Sequence, residues 1–478
     1  MKSAEDQRIA ELERAVADRD ATIAVLQETV KILLARVEDL EARLNRNSDN
    51  SDVPPSANPP SAPKPTLKKP TGKKPGGQHG HRGHHRAVMV PDVVKDHRPA
   101  CCPHCETAFT GDETEVGFPV CHQVTEIPPV RPVVTEHRRH RLRCRSCRRP
   151  VLAPVPVGVP PGAFGPWVVA MVALLSGRHR VSRRGVTEFL ADAFGLRLGL
   201  GSVQTLCEAT GRMLEGPYEE IKRAVLAEGV AHADETSWRH RGRRHWVWVV
   251  ANRRGAVFKL AKGRGHEARR QLLPDDYPGV VVSDRWHVYE PFENRALCHA
   301  HLLRNWRAIS ERKDPIAKRL GDRGVAETER MLGMHRDYRH GVLSESAYRL
   351  RIRMVKARYS RLLNDAQECE DAKTKTLAQE LCRLWKSLWT FAVREGVEPT
   401  NNEAERAIRP AVLWRKVSLG TQSDNGQRFV ERILTVGATA RKTGVRLFGF
   451  LFDLSFAHLN HLPLPSLFGM PLTQLATP

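Results

Sequence analysis

The chain has 478 residues, enough for about three domains of usual size. Its 76 Lys and Arg outnumber 54 Asp and Glu, a formal net charge of +22, so the expected partner is a polyanion, nucleic acid before an anionic membrane surface. The charged N-terminus "MKSAEDQRIAELER" argues against a signal peptide. The longest uncharged run leaves about 12 helical residues from Pro166, short of the about 20 that span a bilayer, so a soluble, cytoplasmic protein with no membrane partner is expected.

Residues 1–46 carry a heptad repeat. Ile9, Leu12, Val16, Ile23, Leu26, Val30, Leu33, Val37, Leu40 and Leu44 fit alternating a and d positions, with Arg19 breaking the series. β-Branched residues at a with Leu at d favour a two-stranded parallel coiled coil, hence a homo-oligomer, a dimer. Residues 47–92 are dominated by Pro, Ser, Asn and Gly, then by Lys, Arg and His. Such a stretch buries too little apolar surface to fold alone and reads as a disordered linker and basic arm. Lys68, Lys69, Lys73, Lys74 and Arg82 are its candidate phosphate contacts.

Residues 93–153 hold two C-x-x-C knuckles, Cys102 with Cys105 and Cys144 with Cys147. In an intracellular chain such pairs are better metal ligands than disulfides, and four thiolates suit one structural zinc ion. Cys101 is an alternative to Cys102; Cys121, His104 and His122 are weaker spare ligands. Val- and Thr-rich runs between the knuckles predict the strands of a zinc ribbon. Residues 154–225 read as helices. A Gly-marked turn before Gly201 and Ser202 resembles a helix-turn-helix, although two amphipathic helices packed in a core give the same pattern.

From 226 the texture becomes α/β. "VAHADETSW", "RHWVWVVAN" and "AVFKLAKG" predict three strands, "HEARRQLLP" a short helix, and "GVVVSDRW" a buried strand ending in an acid. This order predicts a ribonuclease-H-like core over 226–298, the fourth strand lying parallel beside the first. Residues 299–394, helical and rich in Arg, read as an insertion that covers DNA. Cys298 and His301 span its start as C-x-x-H, but two ligands make no metal site. Residues 395–445 complete the core. Residues 446–478 form an apolar, Pro-bearing tail that docks on the body or on a second subunit.

Strand side chains alternate, so Asp234 points with His232 and Thr236, and Glu235 points the other way. Asp284 ends the fourth strand, where a parallel sheet presents functional groups. Asp234 and Asp284, aimed alike, are half of a magnesium site. The third acid is expected on the helix opening in "PTNNEAERAIRP". Thr400 and Glu403 fit a capping box, which gives Glu403 a structural role and leaves Glu405, about 200° round the helix, for chemistry. Arg406 and Arg409, with Arg415 and Lys416 further along, are candidate DNA contacts.

"ADETSW", "SDRWHVY" and "PTNNEAERAIRP", in that order, resemble a bacterial DDE transposase of the insertion-sequence-66 type. "LEARLNRNSDNSDVPPS", "KKPGGQHGHRGHHR", the paired knuckles, "CHAHLLRNW" and "RKVSLGTQSDNGQRF" extend the resemblance over most of the chain. It implies a catalytic triad of Asp234, Asp284 and Glu405, the last in an N-N-x-x-E pattern with Asn401 and Asn402, holding two Mg2+ (or Mn2+) ions. Much of the family has Gly after the second acid; this chain has Arg285 and then Trp286, which puts both beside the site.

The resemblance implies a nucleoid-associated enzyme that binds double-stranded DNA, both the terminal inverted repeats of an insertion sequence and target DNA. It implies cleavage and strand transfer, and small accessory proteins encoded alongside. Two other readings stand beside it. A zinc-ribbon, coiled-coil DNA-binding regulator explains the first half but not the three acids. A ribonuclease-H-like nuclease that cuts without joining shares the acids but gives no reason for end-binding modules.

Overall fold

The computed structural model describes residues 4–51, 58, 59, 62, 80 and 88–469. These fall into two units, one within residues 63–133 and one made of the rest. Lys68, Lys69, Lys73, Lys74 and Arg82 lie outside the described residues.

Helix α1 (Ala4–Leu44) is 41 residues long, about 60 Å, and contains no Gly or Pro. Its seam is uncovered: Leu26 and Leu33 are 58% and 55% exposed. Its last turns are tied to the body, Glu38 to Arg312 at 3.3 Å, Asp39 to Lys373 at 3.4 Å, and Glu41 to Lys313. The next residues, expected to be disordered, instead form an asparagine turn. The amide of Asn47 donates to Oδ1 of Asn50 at 2.8 Å, and Asn50 Nδ2 donates to Glu311 at 2.6 Å. Asn47 and Asn50 are buried by hydrogen bonds rather than by an apolar core, which hydropathy patterning does not register.

Strands β1 (Arg141–Arg143) and β2 (Pro150–Leu152) pair antiparallel around Cys144 and Cys147. Of the two runs that the sequence offered as ribbon strands, "RPVVTEHRRHRLRC" forms β1 at its end and "HQVTEIP" forms no strand.

Helices α2 (Pro166–Ala173), α3 (Arg183–Phe194), α4 (Leu200–Met213) and α5 (Glu215–Leu226) follow. α4 occupies the recognition position of the expected helix-turn-helix. It buries Val203, Cys207, Thr210 and Gly211, and it offers one basic side chain, Arg212. One face of α4 therefore packs in the core.

The central sheet is built from β3 (Val230–His240), β4 (Arg243–Ala251), β5 (Ala256–Ala261), β6 (Val280–Ser283) and β7 (Arg295–Leu297), in the order β5-β4-β3-β6-β7. β3, β4 and β5 are antiparallel neighbours; β6 runs parallel to β3, and β7 parallel to β6. Helix α6 (His266–Arg270) lies in the crossover. The β3–β4 hairpin turns on Arg241 and Gly242, φ 49° and 72°, the positive pair that a tight hairpin matching strand twist requires.

Helices α7 (His299–Ser310), α8 (Pro315–Arg339), α9 (Glu345–Gln367), α10 (Ala372–Arg383), α11 (Trp385–Leu388) and α12 (Thr390–Val393) bring Trp306, Leu320, Val355, Tyr359 and Leu381 into a core shared with Val282 of β6 and Leu297 of β7. The chain then returns as α13 (Asn402–Val417), α14 (Asp424–Thr443) and α15 (Leu447–Leu459). The apolar tail docks on its own body: the ring of Trp167 of α2 lies tilted against those of Phe448 and Phe452, centroids 4.8 and 5.0 Å away.

The outer edge of β5 is closed by α14. Glu431, Thr435 and Thr439, one turn apart, accept from the amides of Leu260, Phe258 and Ala256 at 2.8, 3.0 and 3.3 Å. Four helical residues rise about 6 Å and two strand residues about 6.8 Å, so the two ladders stay nearly in step and no edge amide is left to pair with another chain.

Candidate active site

β3 separates its neighbouring acids as alternation requires. Trp238, on the face of Asp234, packs with Ala404, Ala407, Ile408 and Ala411 of α13. Ala231 and Ala233, on the face of Glu235, belong to the core formed with α5 and α14. Asp234 thus shares a face with α13, and Glu235 does not. Glu235 is buried and fully engaged. Arg264 donates to its Oε1 at 2.7 Å and Tyr289 to its Oε2 at 2.7 Å. Arg264 in turn lies between the rings of Trp246 and Trp286, at 4.9 and 4.3 Å.

Asp284 follows the last residue of β6. Its Oδ1 accepts from the amide of Trp286 at 3.0 Å. The loop is held from below by Arg295 of β7, a buried arginine donating to the carbonyls of Asp284 at 2.6 Å and Trp286 at 3.2 Å and to Ser283 Oγ at 3.3 Å. Arg285 turns away to Glu380 of α10 and to Asn305 at 3.1 Å. The indole of Trp286 donates to the carbonyl of Arg264 at 3.3 Å. Arg285 and Trp286 therefore build the wall of the site.

α13 starts with Asn401 as its N-cap residue, not Thr400, and no side chain closes a capping box. Glu403 pairs with Lys442 of α14 instead. The reason lies in Asn401 itself. Its side chain, buried, donates to the carbonyl of Ala233 at 2.8 Å, and its amide donates to Cys298 Sγ at 3.1 Å. One turn later Glu405 faces His301 of α7, Oε1 to Nδ1 at 3.7 Å, and not Arg409 as a simple surface pair would. Cys298 caps α7, and its amide donates to Ser283 at 2.9 Å. Cys298, His301 and Glu405 bring one donor atom each to within 4.8 Å of one another.

These groups feel one another electrically. The carboxyl of Asp234 is pushed up to about 8, by burial first and then by the charges of Glu235 and Asp284; His301 opposes this. Glu235 is raised by burial and by Asp284, with Arg264 and Tyr289 holding it down. Glu405 Oε1 is buried and accepts no hydrogen bond among the described residues. Asp234 is thus buried beside two further carboxylates, and hard oxygen atoms of this kind suit a divalent cation.

Comparison with known proteins bears on what this site serves. Residues 161–428, more than half of the chain, match the model of the IS66 family of transposases. The chain belongs to that family. Residues 99–148 match the zinc-finger binding domain of transposase IS66, and residues 3–87 match a family of unknown function, DUF6444. The uncharacterized protein y4hP of Sinorhizobium fredii is 25% identical over 419 residues, 78% of this chain and 74% of the relative. Membership in this transposase family makes DNA the partner class and nucleic-acid processing the class of activity. It also supports zinc binding in the module over 99–148.

The knuckles of this transposase repeat one turn. At the first, the amide of Cys102 donates to the carbonyl of Thr107 at 2.9 Å, and Glu106 donates to Cys102 at 2.8 Å with φ 60°. At the second, Cys144 donates to Arg149 and Arg148 to Cys144, each at 2.9 Å, with Arg148 at φ 58°. Cys102 and Cys144 thus hold equivalent positions, whereas Cys101 pairs with Ala108 in an isolated bridge. The Cys105 thiol is lowered by hydrogen bonds from Thr107, and that of Cys144 by the amides of Cys147 and Ser146, both in the direction that favours the metal-binding thiolate.

Of the expected DNA contacts on α13, Arg406 and Arg409 are exposed beside Glu405, and Lys416 is exposed near the helix end. Arg415 is not available in the same way. It is half-buried and bonded to Ser237 of β3, so it is a tether between helix and sheet. Among the described residues no helix is long and apolar enough to cross a membrane. Sequence patterning missed Arg295, the clamp on Glu235, and the packing role of Asn401.

Proposed function

We propose that this chain is a DNA transposase that binds the ends of an insertion sequence and cleaves and joins strands through Asp234, Asp284 and Glu405. What supports the proposal is where the chain fastens these elements to β3. Asp234 lies on that strand, Asp284 ends its parallel neighbour, and Asn401 pins the helix that carries Glu405. The strand order, three antiparallel strands followed by two parallel ones beyond the first, supports a ribonuclease-H-like core made of residues 226–298 and 395–445, interrupted by the helices of 299–394.

Asp234, Asp284 and Glu405 would hold Mg2+ or Mn2+, which supplies the positive charge that attacking and leaving oxygens need in phosphoryl transfer. Asp234 and Asp284 would hold the ion from the sheet and Glu405 from α13; bare carboxylates repel a phosphate, so their part is to place the cation that accepts it. Arg406 and Arg409 are placed to hold flanking phosphates. In the first step a water oxygen attacks phosphorus and the P–O3′ bond breaks, leaving a 3′-hydroxyl. In the second that hydroxyl attacks a target phosphate, displacing a 3′-oxygen of the target strand. Neither step needs a covalent enzyme intermediate.

Cys102, Cys105, Cys144 and Cys147 are the proposed ligands of the zinc, on the strength of the repeated knuckle turn. The exposed seam of α1 is the proposed dimer contact. The experiment that tests the reading is strand transfer by the full chain on a labelled element end with magnesium. Joined product supports transposition, cleavage without joining supports a nuclease, and end binding without either supports a regulator.

A further inference from the structure

We propose that Cys298, His301 and Glu405 form a binding site for a transition-metal divalent cation of the zinc class, chemically distinct from the carboxylate site with which it shares Glu405. The C-x-x-H spacing alone supplies two ligands, and the fold adds the third. Cys298 is the N-cap of α7 and His301 lies in its first turn, so both side chains stand at one helix end. Asn401 joins that end to α13 through the 3.1 Å bond from its amide to Cys298 Sγ, and Glu405 comes one turn later. The donor atoms lie within 4.8 Å of one another, with His301 Nδ1 3.7 Å from Glu405 Oε1.

The donor set decides the ion. A thiolate, an imidazole and a carboxylate are the ligands of zinc and its neighbours, whereas magnesium takes oxygen and leaves sulfur aside. Three protein ligands leave a fourth position open, as in zinc sites that are not closed structural ones. The other buried cysteines have different surroundings: the Cys369 thiol donates to the Asp314 carboxylate at 4.0 Å. Cys207 sits in an apolar core, and among the described residues no imidazole and carboxylate gather with it as ligands. Cys298 is buried among polar groups: the Asn401 amide, His301 and Glu405.

A consequence follows that rests on the reading of Glu405 as the third catalytic acid. An ion held by Cys298 and His301 withdraws Glu405 from Asp234 and Asp284, so zinc should inhibit magnesium-dependent cleavage.

The test uses the full chain, loaded with zinc at its knuckles, and Co2+ as the probe. The wild type should bind about one further equivalent with a sulfur-to-cobalt charge-transfer band, unmoved by millimolar magnesium. Cys298→Ser should lose the band, and Glu405→Gln should keep it with affinity weakened about tenfold or more. Circular dichroism and thermal unfolding confirm that each variant is folded. An unchanged band in folded Cys298→Ser, or no band in the wild type, overturns the site. Zinc inhibition is scored separately, against each protein's own zinc-free rate. A band without any magnesium-dependent cleavage leaves the site standing and overturns only the catalytic reading. Cleavage that zinc leaves untouched while the band is present overturns the inhibition.

Discussion

The side-chain amide of Asn401 donates to the carbonyl of Ala233 at 2.8 Å, which fastens the start of α13 to β3 at the residue before Asp234. This bond fixes the distance between an acid on a strand and an acid on a helix that are far apart in the chain. Asn401→Ala should leave the Ala233 carbonyl without its partner and lower stability by about 1–3 kcal/mol. Misplacing a catalytic group by about 1 Å costs on the order of 100-fold in rate, so cleavage should fall far more than end binding measured by gel shift. Equal losses in both would assign Asn401 to folding alone.

The carboxyl of Asp234, pushed up to about 8 by burial and by Glu235 and Asp284, predicts a pH dependence in chelator. The folded state holds this proton more tightly than the unfolded chain, where an aspartate titrates near 4. Its contribution to stability is therefore complete below about pH 4 and is lost as pH rises toward 8. Urea unfolding of metal-free protein should show Asp234→Asn more stable than wild type near pH 8, with the difference shrinking in acid. Saturating magnesium should remove it. Parallel pH profiles of the two proteins would contradict the cluster.

In Cys298→Ser protein, which lacks the site proposed beside Glu405, zinc should be found at about one per chain, from the four-thiolate rule. Cys144→Ser with Cys147→Ser should abolish it, and Cys101→Ser should not, because Cys102 repeats the backbone turn of Cys144 while Cys101 sits in a bridge. Elemental analysis decides between the two cysteines.

Helix α1 exposes its apolar seam along its length. A fragment of residues 1–46 should be helical and dimeric, and polar residues at Leu26 and Leu33 should dissociate it. Analytical ultracentrifugation of a wild-type fragment that stays monomeric at high concentration would move the dimer contact elsewhere.

Much of this arrangement was legible in the chain because it rests on local period and order. Alternation in "VAHADETSW" separated Asp234 from Glu235, and the order of strand-like runs placed β6 beside β3. What stayed hidden depends on partners distant in sequence. β7 is three residues, Arg-Ala-Leu, too short for any period, yet its Arg295 holds the Asp284 loop. Thr400 and Glu403 satisfy the capping pattern, but the Asn401 amide finds a carbonyl on β3 that no local rule foresees. Arg415 reads as a phosphate contact and is tied to Ser237 instead.

The central claim is that Asp234 acts and Glu235 supports. Magnesium-dependent cleavage of a labelled element end should vanish in Asp234→Asn while end binding persists. In Glu235→Gln, Arg264 and Tyr289 keep neutral partners, so the protein should lose about 1–3 kcal/mol of stability and retain measurable cleavage at low temperature. An active Asp234→Asn beside a folded, inactive Glu235→Gln would contradict the account.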